Sequence, residues 1–128
     1  YRIPYPATLK RNIIERQSLL LETSLPAFSK QIKKALKRKD ILALNHRSSE
    51  FFASYFDLLF ALNEQLHPGE KRMLSYAKKN CTLLPKDFEA NIQAYFQNLY
   101  QWDQSQATLD TLNQLLKQLK NLIETTNI

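Results

Sequence analysis

A single glycine, Gly69, stands in a chain of 128 residues. Tight β-hairpin turns and phosphate-cradling loops both depend on the backbone freedom that glycine supplies, so a chain almost without it cannot string together many short strands or build a glycine-rich phosphate loop. What remains is helix. Apolar residues recur at helical spacing along the chain, and with 44% hydrophobic and 11% aromatic residues there is enough apolar material for a core. A chain of this length buries about two-thirds of its unfolded surface as one domain. The sequence therefore predicts an all-α fold, a single bundle of about six helices over residues 1–128. It begins at Tyr1 rather than Met, which leads us to expect a C-terminal fragment of a longer protein.

The breaks between apolar stripes carry capping chemistry. Thr8 is placed to start a first helix through about Glu22, burying Leu9, Ile13, Ile14, Leu20 and Leu21. Ser24 precedes a second, which runs to about Lys39 and buries Leu25, Phe28, Ile32, Ala35 and Leu36. Asp40 caps a long third helix, Ile41 to about Leu66, and Pro68 sits early in a fourth that reaches about Lys79. Pro85 opens a fifth, with a stripe of Phe88, Ile92, Tyr95, Phe96, Leu99 and Trp102. Ser105 caps the last, whose seam is Leu109, Leu112, Leu116, Leu119 and Ile123.

Charge is concentrated in the second helix. Lys30, Lys33, Lys34, Lys37 and Arg38 share one face and Lys39 follows; taking these six from the 18 Lys and Arg leaves 12, which balances the 12 Asp and Glu. The formal charge of +6 thus resides on one element. Such a stripe can attract phosphates, RNA or an anionic membrane surface, and it equally fits a solvated face with cations near a helix C-terminus.

The third helix is apolar almost all round. Arg47, Glu50, Ser54, Asp57, Ala61 and Glu64 form its one narrow strip toward solvent or a partner, which makes Asp57 an exposed residue rather than a catalytic carboxylate. At its end Asn63 and His67, four apart, are expected on a common helix face, and the Pro68-Gly69 turn can bring Lys71 and Arg72 alongside. Amide, imidazole, ammonium and guanidinium groups together suit a nucleotide ribose or phosphate. The same residues could also do no more than fix the turn.

Tyr5-Pro6, Lys37-Arg38-Lys39-Asp40, Phe60-Ala61-Leu62-Asn63 and Pro68-Gly69-Glu70-Lys71-Arg72 occur in an order that resembles the helical C-terminal domain of a nucleotidyltransferase-like family. That family belongs to the polymerase-β-type superfamily and is distantly related to the aminoglycoside and lincosamide nucleotidyltransferases. The resemblance implies a domain that packs on an N-terminal nucleotidyltransferase domain of the same protein and closes one side of its cleft, contributing to nucleotide or acceptor binding. Where the family pattern commonly has glycine before the aspartate, this chain has Lys39, and the last helix has no counterpart in the pattern.

Polymerase-β-type transfer needs a Gly-Ser turn and paired carboxylates for Mg²⁺, and the chain has neither, so no catalytic residue is expected in it. The Mg²⁺ and nucleoside triphosphate chemistry would belong to the missing catalytic domain, leaving no cofactor here. His46, His67 and Cys81 show no zinc spacing, so no metal site is expected. No apolar run reaches the roughly 18 residues of a membrane helix. With one cysteine and no signal peptide, the expected setting is the cytoplasm, without a membrane partner. The expectation from sequence is an accessory domain that contacts nucleotide or substrate, with a stand-alone module binding RNA or an acidic protein through its basic helix as the alternative.

Overall fold

A computed structural model describes residues 25–69 and 71–126, together with Arg11, Asn12, Glu15, Glu22 and Thr23. Among the described residues, five complete α-helices are packed together: α1 (Leu25–Arg38), α2 (Ile41–Leu62), α3 (Met73–Asn80), α4 (Phe88–Asn98) and α5 (Ser105–Thr125), the last preceded by a 3-10 turn at Trp102–Gln104. The fold is all-α, as expected. The buried set expected for the first helix, Leu9, Ile13, Ile14, Leu20 and Leu21, lies outside the described residues, as does Ser24, while Arg11, Asn12 and Glu15 within its span are helical. No described helix is long and apolar enough to cross a membrane.

Local chemistry sets the corner between α1 and α2. Lys39 takes a left-handed conformation, φ 56°, and its N–H donates to the Leu36 carbonyl at 3.1 Å while the Asp40 N–H donates to Ala35 at 2.9 Å. These two bonds close α1 in the pattern usually built around glycine. Asp40 then starts the next helix, its carboxylate accepting the Ala43 N–H at 3.2 Å. One residue thus ends α1 and caps α2, and the two helices fold back on each other. The end of α2 repeats the device. Glu64, at φ 56°, donates to Ala61 at 3.1 Å, and Gln65 donates to Phe60 at 2.9 Å. With one glycine to distribute, the chain places Lys39, Glu64, Arg72 and Asp87 in left-handed conformations that cost a non-glycine residue about 1–2 kcal/mol each.

Helix α2 is the centre of the bundle. Leu44, Ser48, Phe51, Phe52, Tyr55, Phe56, Leu58, Leu59, Phe60, Ala61 and Leu62 are all buried along it. Leu25, Ile32, Ala35 and Leu36 of α1 pack into the same core, as do Phe88, Ile92 and Tyr95 of α4 and Leu112, Leu115 and Leu119 of α5. A hydrogen bond of 2.6 Å between the Ser48 and Tyr95 hydroxyls joins α2 to α4 inside this core, with Phe52 edge-on to Tyr95 at 5.3 Å.

Several element boundaries differ from the sequence expectation. Helix α2 ends at Leu62 rather than Leu66, because the left-handed Glu64 stops it. Helix α3 starts at Met73 instead of Pro68, and α4 at Phe88 instead of Pro85. Ser105 lies inside α5 with its hydroxyl turned back to the Trp102 carbonyl at 2.8 Å; Gln104 holds the cap position. Phe96 is 47% exposed rather than in the core stripe, and Ala61, expected on the polar strip of α2, is buried against Leu83, Leu122 and Ile123. Asp57 is exposed, as expected.

Candidate functional site

The residues singled out around the Pro68-Gly69 break separate into two groups. Asn63, at the C-terminal cap of α2, faces the chain 20 residues on: its amide nitrogen donates to the Leu83 carbonyl at 2.8 Å and its amide oxygen accepts the Leu83 N–H at 2.8 Å. A further bond runs from the same nitrogen to Leu59 at 2.9 Å. Both amide hydrogens are thereby engaged with backbone. Asn63 ties the α3–α4 connection to the end of the central helix.

His67 does not share a helix face with Asn63, since the helix has already ended. Its ring stands edge-on to Phe60 at 5.3 Å, Nε2 lies 3.5 Å from Asp57 Oδ1, and Nδ1 accepts the Gly69 N–H at 3.0 Å. An accepting Nδ1 places the proton on Nε2, facing the carboxylate. Gly69 itself has φ 92°, a conformation that only glycine adopts without strain. His67 therefore folds the loop back onto α2. Phe60 also meets Tyr76 of α3, edge-on at 5.7 Å, and the Tyr76 hydroxyl donates to Gln65 at 3.4 Å. Phe60, His67 and Tyr76 thus fix where α3 lies relative to α2.

Lys71 and Arg72 make neither of these contacts. Both are exposed, and they line an open groove of about 540 Å³ together with Ser75, Tyr76, Lys79 and Asn80. Arg72 occupies the N-cap position of α3 in a left-handed conformation and supplies no side-chain cap, so the first N–H groups of α3 add their partial positive charge to Lys71 and Arg72. Lys79 joins from the last turn, while the neighbouring Lys78 is held by Glu89 at 2.7 Å. Three cations, a hydroxyl, a carboxamide and a phenol ring around one open groove make a setting for an anion attached to an aromatic or sugar moiety. Lys79, Ser75, Tyr76 and Asn80 are not among the residues expected from the sequence. The signal was present in the i, i+4, i+7 spacing of Arg72, Tyr76 and Lys79, concealed by placing the helix start five residues too early.

Lys30, Lys33, Lys34, Lys37 and Arg38 are all exposed on α1. Arg38 lies 3.6 Å from Asp40 at the corner, and the four lysines make no ion pair with any described residue. Cys81 follows α3 in the core, where burial pushes its thiol up to about 11 and leaves it a poor nucleophile at neutral pH. Among the described residues, no three His, Cys, Asp or Glu side chains converge on a point that could hold a metal. No family model, curated protein or solved structure matches the chain.

Proposed function

We propose that this chain is a non-catalytic helical domain of a nucleotidyltransferase-like protein, contacting a nucleotide or other phosphate-bearing ligand beside an N-terminal nucleotidyltransferase domain. The observation that supports the reading best is the groove itself. Lys71 and Arg72, which the resemblance marks, line it with Lys79, and the uncapped start of α3 adds to the same positive field. Asn63 and His67 contribute by holding the loop and α3 in place, not by touching ligand. Tyr76 offers a ring edge and Ser75 a hydroxyl for the nucleoside portion. Mg²⁺ and the transfer chemistry belong to the catalytic domain, and the setting is the cytoplasm, where a lone thiol such as Cys81 stays reduced.

Calorimetric titration of the chain with ATP and with inorganic tripolyphosphate tests this. The wild type should bind both, and Lys71→Ala with Lys79→Ala should lower affinity about tenfold or more, in line with losing two charge-assisted contacts, at an unchanged melting temperature. Equal affinity in wild type and variant would show that the groove does not hold the ligand.

A further inference from the structure

The lysines of α1 do not stand alone. Pro26 shares a helix face with Lys30, Lys33 and Lys37, and a surface hollow of about 310 Å³ is lined by Pro26, by Leu116, Lys117 and Lys120 of α5, and by one carboxylate, Glu22. Lys117 and Lys120 are exposed and, like the α1 lysines, make no ion pair with a described residue. The row therefore continues from one helix onto the other. From Pro26 to Lys37 it extends about 16 Å along α1 at the helical rise, and α5 adds a further helix width of about 8–10 Å.

We infer that the Lys30, Lys33 and Lys37 face of α1 and the Lys117 and Lys120 edge of α5 form one surface that docks on the phosphate backbone of double-helical nucleic acid, read by charge and not by base. The chemistry separates this ligand from other polyanions. A single strand is held by stacking its bases on aromatic rings, and neither helix presents an aromatic side chain there: Phe28, the one aromatic residue of α1, packs against the core. A bilayer would be held by apolar side chains entering it, yet the exposed large hydrophobics of the described residues, Ile41, Leu42, Leu66, Phe96 and Tyr100, all lie outside α1 and α5. Lysine is a point charge without the directional fork of arginine, so these positions respond to charge density, and a duplex with one phosphate charge per about 1.7 Å of axis offers more of it than the carboxylates of an acidic peptide. A straight row of point charges on a rigid helix is matched by the regular phosphates of a duplex.

The test is fluorescence anisotropy with a labelled short RNA duplex across a potassium chloride titration. Wild type should bind, with log affinity falling steeply against log salt. Lys30→Gln with Lys33→Gln and Lys37→Gln should weaken binding at low salt at least tenfold and reduce the slope by about 2–3, and Lys117→Gln with Lys120→Gln should reduce it by about 1–2, since each phosphate contact contributes about 0.9. All five positions are exposed, and circular dichroism would register any loss of fold. A Lys117/Lys120 variant indistinguishable from wild type would overturn the shared surface. Tighter binding to phosphatidylserine vesicles or to polyglutamate than to the duplex would overturn the choice of ligand.

Discussion

Asn63 and Leu83 exchange two hydrogen bonds of 2.8 Å each, the side-chain amide of one pairing with the backbone of the other as a neighbouring strand would. This pair, in an all-helical protein, joins the end of the central helix to a connection that has no regular structure of its own. Losing it leaves a partly buried N–H and C=O without partners. Asn63→Ala should therefore destabilise the fold by about 2–3 kcal/mol, measured by urea denaturation. ATP affinity measured under native conditions should be nearly unchanged. A stable Asn63→Ala protein that no longer binds nucleotide would show that the amide faces ligand and not Leu83.

Lys39 closes α1 at φ 56°, a conformation glycine adopts without penalty. Its N–H is needed for the bond to Leu36, and glycine keeps that N–H. Lys39→Gly should raise stability by about 0.5–1 kcal/mol, the relief of left-handed strain exceeding the extra entropy of the unfolded chain. Lys39→Val, β-branched at the same position, should lower it. Thermal unfolding of the pair gives the comparison, and a destabilised Lys39→Gly would mean that the lysine side chain contributes more than its backbone costs.

How far the fold was legible follows from such positions. Asp40 was readable because an acidic residue before an apolar run caps locally, within three residues, and the structure shows that bond. Leu25, Ile32, Ala35 and Leu36 were readable as the buried stripe of α1 from their spacing alone. Phe96 was not: a 3.6-residue period cannot decide which of two adjacent aromatics, Tyr95 or Phe96, turns inward, and the Ser48 hydroxyl decided for Tyr95. Nor could the stop of α2 be placed, since Glu64 in a left-handed conformation has no sequence signature comparable to glycine. In the candidate site the exposure of Lys71 and Arg72 was legible from the Pro68-Gly69 turn, but not the groove they line with α3. The partner of Asn63 was not, because it lies 20 residues away and depends on how α3 packs.

Alkaline stability should report the buried titrating groups. Burial raises the Tyr95 hydroxyl from 10.0 to about 12, offset in part by the Ser48 hydrogen bond and reinforced by nearby Tyr100. Cys81 rises from 9.0 to about 11, also through burial. Both raised values mean that the folded chain holds protons the unfolded chain has released. The resulting stabilisation is complete below pH 9 and is lost as pH climbs to about 12. Urea midpoints between pH 8 and 11 should fall, and Cys81→Ala should flatten the segment from pH 9 to 11. A pH-independent midpoint would contradict the burial of both groups.

The same thiol gives a rapid check of packing. At pH 8 Cys81 should react with iodoacetamide far more slowly in the native chain than in urea, because it is buried and protonated. Equal rates would place it at the surface.

The most direct test of the proposed nucleotide contact is a chemical-shift map of the isotopically labelled chain titrated with ATP at about 0.15 M salt, where long-range attraction to the exposed lysines is largely screened. Saturable shifts should be confined to Lys71, Arg72, Ser75, Tyr76, Lys79 and Asn80, with Asn63 and Leu83 unmoved. Shifts clustered on Lys30 to Arg38 instead, or none at millimolar ATP, would contradict that contact.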